Sequence, residues 1–119
     1  MTTMKKVDVA RVQEALDARK NKPVYIHLET THGAYASHMN EGFFNTGVFI
    51  RNAKVTYTTG TITPDFPHRV GLKTTNGWVY AQGITHWKIN ERNELLLAGI
   101  DGEGKLAVAL QVSERPFQE

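Results

Sequence analysis

The hydrophobic periodicity of the chain changes at Pro23, which separates a helical pattern from a long β-strand pattern. Before that proline, apolar residues recur at the spacing of one helix face, with charged residues on the other side: Val9, Val12 and Leu16. Asp8 is a suitable N-cap because its carboxylate can accept backbone N–H groups at the positive end of a helix. The sequence therefore predicts one amphipathic helix over residues 8–20.

After Pro23 the apolar residues alternate with polar ones, a period of two that is typical of a half-buried strand. The first predicted strand is residues 24–29. A turn at 31–33 is expected to lead into a second strand at 34–39. Further strand segments are predicted at residues 48–50 and 55–63, separated by residues 51–54.

Two hairpins complete the predicted β region. Asn76-Gly77 supplies the positive φ angles of a type I′ turn, so the flanking residues are expected to pair. A second hairpin joins residues 94–100 to 105–112, and its long apolar runs indicate strands inside a sheet. The sequence thus predicts a mostly β fold in one domain, residues 1–119, with the helix followed by seven or eight strands.

Composition narrows the function classes. The 119 residues include no cysteine, which excludes disulfides and thiolate metal sites and favours a cytoplasmic protein. The apolar runs are too short to span a membrane, and no secretory signal is recognisable at the N-terminus. The net charge is only +2, and the basic excess lies in residues 1–23. A solvated helix face explains that excess better than a nucleic-acid surface does.

Histidines in the first predicted hairpin suggest a metal site. With a turn at 31–33, His27 faces His38 across the hairpin, and Glu29 lies on the same side of its strand as His27. Imidazole and carboxylate ligands suit zinc or a similar divalent metal. A slip of one residue in the register would send the two histidines to opposite faces, and ordinary surface histidines are the alternative interpretation.

Three further segments, with aromatic or charged residues, are weaker candidates for a functional site than the histidines are. Phe43 and Phe44 are adjacent in a glycine-bearing loop, and two neighbouring rings cannot both point inward from regular structure, so they are candidate partner-binding residues. Residues 65–69 place an acid, an imidazole and a guanidinium together, without an identifiable nucleophile. Trp78 and Tyr80 share one strand face, for which core or cross-strand packing is the preferred interpretation over base stacking.

Several segments together resemble the YojF-type family of small uncharacterised bacillar proteins: the helix, Lys22 to Thr31, Asn40 to Phe44, and Asn76 to Ala81. The resemblance covers essentially the whole chain and implies coiled or barrel-like antiparallel sheets. It also implies a gene neighbour, an LmbE-like zinc deacetylase of low-molecular-weight thiol (bacillithiol-type) synthesis. The family has no assigned activity, so no catalytic residue is carried over.

Three hypotheses for function follow. The first is a non-catalytic accessory or interaction domain that forms a homodimer or binds the LmbE-like deacetylase. The second is a metal-binding domain or metal-dependent enzyme that uses His27, Glu29 and His38. The third is a small-molecule binding barrel. The sequence identifies no cofactor and favours a protein that is not an enzyme.

Overall fold

The computed structural model describes residues 4–31 and 47–118. Within these ranges the fold contains one helix and nine strands, in accord with the mostly β prediction. The elements are β1 (Lys5–Lys6), α1 (Val9–Ala18), β2 (Val24–Thr31), β3 (Gly47–Val55), β4 (Tyr57–Ile62), β5 (His68–Thr74), β6 (Gly77–Ile84), β7 (His86–Ile89), β8 (Leu95–Ile100) and β9 (Leu106–Ser113).

Helix α1 forms where the sequence predicts it. The Asp8 carboxylate accepts a hydrogen bond from the Arg11 backbone N–H at 3.2 Å, as an N-cap does. Val12, Ala15 and Leu16 are buried, which places the apolar side of the helix against the core. The chain then leaves the helix through Asn21, whose φ of 62° lies in the left-handed region.

A six-stranded antiparallel sheet forms the larger layer, in the order β1-β7-β8-β9-β2-β3. The hairpin of β8 and β9 lies inside this sheet, as their apolar runs predict, with β9 also pairing to β2. One face contributes the largest part of the core, through alternate residues of β2, β8 and β9 such as Ile26, Leu97 and Leu110. The short strand β1 precedes the helix and was not predicted.

The smaller layer is a three-stranded antiparallel sheet, in the order β4-β5-β6. Its inner face adds Val70, Leu72 and Ala81 to the core. The side chain of Gln13 joins α1 to β4, because its amide nitrogen donates to the Gly60 carbonyl oxygen at 2.7 Å and its amide oxygen accepts from the Ile62 N–H at 3.2 Å. The helix and the small sheet therefore cover the same face of the large sheet.

A close approach of two glycines joins the sheets at β6 and β8. A Cβ atom on Gly99 would collide with the Gly83 carbonyl oxygen and would lie 2.5 Å from Val108 Cγ1. Gly83 itself has a φ of 90°, a conformation that L-residues rarely adopt. Both positions therefore require glycine, one because of space and the other because of backbone conformation.

Two local predictions need correction. Residues 51–54 do not interrupt a strand, since β3 continues through them with a bulge at Asn52, whose φ is 59°. The Asn76-Gly77 hairpin is present, but Thr74 pairs with Gly77, so the turn residues are 75 and 76. The positive φ, 126°, falls on Gly77 and not on Asn76, because the Thr74 hydroxyl accepts from the Asn76 N–H and organises the turn instead.

The turn between β8 and β9 is held by Asp101. Its carboxylate accepts hydrogen bonds from the Lys105 and Glu103 backbone N–H groups, both at 2.9 Å. These bonds stabilise the charged carboxylate and lower the pKa of Asp101 below its ordinary value, and the bond from Lys105 makes the largest contribution. The predicted connection over residues 101–104 is therefore a side-chain-stabilised turn.

Candidate functional site

The outer face of the three-stranded sheet carries an exposed aromatic pair. Trp78 and Tyr80 alternate with inward-facing residues of β6, and their side chains are 45% and 48% exposed. The two rings are stacked, with centroids 5.4 Å apart and an angle of 4° between their planes. We call the exposed side chains on this side of the sheet the aromatic face: Thr59, Thr61, Arg69, Lys73, Trp78, Tyr80 and Gln82.

The strand register explains the geometry of the aromatic face. Gly71 of β5 lies opposite Tyr80, and a Cβ on Gly71 would come within 2.9 Å of Tyr80 Cε1. The missing side chain lets the phenol ring lie close to the sheet. The Arg69 guanidinium carbon lies 5.0 Å from the centroid of that ring, within range of a cation–π contact. Lys73 lies opposite Trp78, so the rings are flanked by two cations.

Of the two alternatives predicted for Trp78 and Tyr80, packing in the core is wrong, whereas packing across strands is observed, because Tyr80 lies against Gly71 and Arg69 of the neighbouring strand β5. The rings contact each other along one strand, on the side of the sheet that faces away from the core. Sequence reasoning also missed Arg69 as their neighbour. The Asn-Gly hairpin signal could have found it, since extending the pairing from Thr74 and Gly77 brings residues 69, 71 and 73 beside the aromatic strand.

His27 and Glu29 lie on the other face of the large sheet, away from the core. His27 is 6% exposed, and its Nε2 donates to the Glu29 carboxylate at 3.2 Å. Phe49 of β3 packs edge-on against the imidazole, with ring centroids 5.3 Å apart. Within the described ranges, His27 Nδ1 is buried and has no hydrogen-bond partner. The structure thus brings together two of the three predicted metal-ligating residues.

The predicted partner of His27 in the first hairpin, His38, lies outside the described residues. Strand β2 lies between β3 and β9, and the residues opposite His27 are Arg51 and Gln111. Both positions beside His27 in the large sheet are therefore filled by residues other than a histidine. Across residues 4–31 and 47–118, no three side chains of metal-ligating type come together.

Phe43 and Phe44, the predicted partner-binding residues, lie outside the described ranges. The other remaining candidate, the loop at 65–69, lies inside them. In the loop at 65–69, the imidazole and the guanidinium point to different partners. His68 is 5% exposed and its Nδ1 donates to the Thr63 carbonyl oxygen at 2.8 Å, whereas Arg69 lies over Tyr80. The loop therefore does not assemble a catalytic group from these residues.

A groove with a volume of about 620 Å³ lies beside the first turn of α1, against the paired strands β1 and β7. It is lined by residues of β1, α1 and β7, which include Lys5, Lys6, Arg11, Trp87 and Ile89. Trp87 packs partly against the core, whereas Ile89 is 42% exposed. The basic N-terminal region that the composition identifies thus contributes to a concave surface.

Comparison with known proteins agrees with the resemblance seen in the sequence. The family described as "Protein of unknown function (DUF1806)" matches residues 6–117. The chain is 50% identical over 114 residues to "Uncharacterized protein YojF" of Bacillus subtilis (strain 168), an alignment that covers 96% of this chain and 98% of that protein.

The fold agrees as well. The crystal structure of Bacillus subtilis YojF superimposes with a TM-score of 0.81 at 44% identity, and the match covers 99% of this chain and 100% of that one. Among the described residues, no helix has the length and apolar character needed to cross a bilayer. The chain is similar to YojF over nearly its full length and is a member of the DUF1806 family of proteins of unknown function.

Proposed function

We propose that the protein is a non-catalytic accessory protein that binds a partner protein through the aromatic face. The observation that supports this most is the half-exposed, stacked pair of Trp78 and Tyr80 with Arg69 against it. Tryptophan, tyrosine and arginine are the residues that most often dominate protein–protein binding energy. A sheet face that leaves both large rings in water therefore favours an interface.

The geometry of the pair suits a rigid anchor. Stacking fixes each ring against the other, and Gly71 lets Tyr80 settle onto the sheet, so little side-chain freedom remains to be lost on binding. Each ring also keeps a polar group, an indole N–H or a phenol O–H, for a directed hydrogen bond. A preorganised surface of this kind fits recognition better than it fits structural packing.

Charge on the aromatic face indicates what the partner presents. Arg69 and Lys73 flank the rings, so we expect the partner to combine carboxylates with an apolar patch. A two-fold contact between two copies through this face would bring like charges together, which is unfavourable. The homodimer expected from the sequence would instead use another surface, such as β3, the last strand of the large sheet within the described residues, where Phe49 is 69% exposed.

The LmbE-like zinc deacetylase of low-molecular-weight thiol synthesis is the partner to test first, because the family resemblance implies it as a gene neighbour. The lack of cysteine supports a cytoplasmic setting for such a pair. The purified deacetylase would be titrated with wild type, Trp78→Ser and Leu106→Ser by calorimetry. Leu106 is a matched control because its side chain is 44% exposed and lies on the other sheet.

We expect Trp78→Ser to weaken binding at least tenfold and Leu106→Ser to leave it unchanged. A parallel capture from native lysate with the same three proteins, read by quantitative mass spectrometry, covers any other partner. If no captured protein depends on Trp78, and the deacetylase binds all three proteins equally or not at all, the proposed function is wrong.

A metal-binding role is a second candidate, and the contact between His27 and Glu29 favours it. Because Nε2 donates to the carboxylate, the nitrogen left to bind a metal is Nδ1, the atom without a partner among described residues. Metal-binding histidines commonly donate their other N–H to a carboxylate in this way. Glu29 would then orient the imidazole, which differs from the direct ligation expected from the sequence, and His38 stays a proposed ligand.

Elemental analysis of the purified protein tests the metal-binding role. We expect about one divalent metal per chain in wild type, loss of the metal in His27→Ala, and roughly 10- to 100-fold weaker affinity in Glu29→Gln. Metal well below one equivalent in wild type, with the same content in His27→Ala, would rule this role out.

A further inference from the structure

Strand β6 has one edge that pairs with no other described strand. The small sheet has the order β4-β5-β6, so β6 hydrogen-bonds to β5 on one side only. The two-residue turn makes Thr74 and Gly77 a hydrogen-bonded pair, and hydrogen-bonded and non-hydrogen-bonded pairs alternate from there along the two strands. The pairs that contain Trp78, Tyr80 and Gln82 are of the second kind. The backbone N–H and C=O groups of these three residues therefore point away from β5.

The backbone groups on this edge are open to pairing. Among the described residues, none of them makes a hydrogen bond outside the small sheet. Trp78, Tyr80 and Gln82 are exposed residues, which agrees with an edge that is hydrated in the free protein. A row of unpaired N–H and C=O groups at the repeat of a strand is a template for another extended chain.

Two other strands at sheet edges are protected from such pairing, whereas β6 is not. On the outer edge of β4, the Gln13 side chain already occupies the Gly60 carbonyl oxygen and the Ile62 N–H. Strand β1 is only two residues long, and both are lysines. Short length, charge and proline are the usual means by which proteins prevent pairing at an edge. Residues 78–82 include neither a charged residue nor a proline, so this edge lacks such protection.

The side chains beside this edge indicate which kind of chain would pair with it. Every second residue of an added strand would lie next to the rings of Trp78 and Tyr80, on the aromatic face. That face carries two cations, Arg69 and Lys73, and no carboxylate. Acidic residues in the added strand would reduce the positive charge, whereas a second copy of this chain would add two further cations. The charge therefore favours an acidic segment of a different protein.

We propose that the partner binds β6 by strand addition: an extended segment, with acidic and apolar residues at alternate positions, pairs with the backbone of Trp78, Tyr80 and Gln82. In this mode the main-chain hydrogen bonds provide affinity, and the alternate side chains provide specificity. The inference rests on the proposed function, because it describes how the partner engages the aromatic face. It requires more than that function does, since exposed rings can bind any complementary surface but strand addition needs an open backbone edge.

Amide hydrogen exchange of the full chain, read residue by residue by NMR, tests the edge with and without a peptide. In the free protein we expect the amides of Trp78 and Tyr80 to exchange at least tenfold faster than those of Val79 and Ala81, which face β5. The probes are two synthetic heptapeptides, TETLTET and TKTLTKT, which differ only in the charge beside the central leucine. We expect TETLTET to slow exchange at Trp78, Tyr80 and Gln82, with a Kd at least tenfold tighter than that of TKTLTKT.

Two variants at one position separate the backbone from the side chain. Gln82→Pro removes an N–H that points away from β5, so it blocks the edge without removing a hydrogen bond of the sheet. Gln82→Ala loses the same side chain and keeps the N–H. We expect Gln82→Pro to weaken TETLTET binding at least tenfold and Gln82→Ala to change it less than twofold. Slow exchange at Val79 and Ala81 in both variants shows that the sheet is intact.

The outcomes separate this inference from the proposed function. Slow exchange at Trp78 and Tyr80 in the free protein, no preference for TETLTET over TKTLTKT, or equal binding by two intact Gln82 variants would overturn strand addition. Exchange at this edge that slows as the protein concentration rises would identify a second copy as the occupant and would overturn it too. A captured partner that still depends on Trp78 would leave the proposed function standing in each of these cases.

Discussion

The Tyr57 hydroxyl donates a hydrogen bond of 2.6 Å to the Leu16 carbonyl oxygen, which joins the first residue of β4 to the last turn of α1. Both residues are fully buried. Burial raises the pKa of Tyr57 above its ordinary value, because the phenolate would lose its hydration there. This contact holds the helix on the edge of the small sheet.

We expect Tyr57→Phe to lower the free energy of unfolding by about 1 kcal/mol at neutral pH, since one buried hydrogen bond is lost while the Leu16 carbonyl still accepts from the Arg19 N–H. Urea unfolding of both proteins measures this difference. A variant as stable as wild type would show that the bond contributes nothing.

The same variant carries a pH dependence. The raised pKa means that the folded protein resists ionisation of Tyr57, whereas an unfolded tyrosine ionises near pH 10. The stabilisation that Tyr57 gives the folded protein is therefore complete below pH 10 and is lost as the pH rises above that value. We expect the stability difference between wild type and Tyr57→Phe to shrink between pH 9 and pH 11. A difference that is constant or grows over this range would contradict the assignment.

The close approach of Gly99 to Gly83 gives a second stability test. We expect Gly99→Ala to destabilise the protein by about 2–3 kcal/mol or more, because the new methyl meets the Gly83 backbone and not a movable side chain end. Gly102→Ala is the control, since a Cβ there meets no atom within 4 Å and the backbone is not left-handed. The melting temperatures of both variants, measured by thermal unfolding, provide the test. Equal melting temperatures would contradict the requirement for glycine at position 99.

Arg19 ties the end of the helix to the turn after β7. The side chain is 3% exposed; it donates to the Ala15 carbonyl oxygen at 3.0 Å and to both oxygens of Asn93 at 3.0 and 3.1 Å. A lysine cannot reproduce this fork, so we expect Arg19→Lys to cost about 1–3 kcal/mol. The exposed Arg11→Lys is the control and should change stability by less than about 0.5 kcal/mol. Similar losses in both variants would mean that the buried contacts are not responsible.

The helix and the hairpins were predictable because their signals are local. Asp8 and the spacing of Val12 and Leu16 define α1 within a few residues of sequence, and the turn at 101–104 brings β8 and β9 together without help from the rest of the fold. Even there, the Thr74 hydroxyl displaced the turn geometry that Asn76-Gly77 favours. Side-chain hydrogen bonds can thus override backbone preferences in a single turn.

The arrangement of strands and the exposure of side chains were not predictable in the same way. Strand β2 pairs with β3 and with β9, which lies about 80 residues later, so the neighbours of His27 depend on contacts that no local pattern encodes. Alternation indicates that Trp78 and Tyr80 share one face of their sheet. In a fold of two packed sheets, one face of each sheet contacts the core and the other faces water, and alternation does not say which face carries the rings. Only the packing of Val70, Leu72 and Ala81 against the core decides that the aromatic rings face water.

The aromatic face should tolerate substitution because it contributes little to the core. We expect Trp78→Ser to change the free energy of unfolding by less than about 1 kcal/mol, since the side chain is 45% exposed and its main contact is with Tyr80. Urea unfolding provides the measurement. A loss of several kcal/mol would indicate a structural role for the indole and would remove the main support for an interface.

Site-specific photo-crosslinking in native cells tests the interface most directly. A benzoylphenylalanine in place of Trp78 is compared with the same residue in place of Leu106, two positions of nearly equal exposure on different sheets. We expect ultraviolet light to yield one discrete crosslinked partner from position 78 and none from position 106. An absence of product from position 78, or the same products from both positions, would contradict a binding role for the aromatic face.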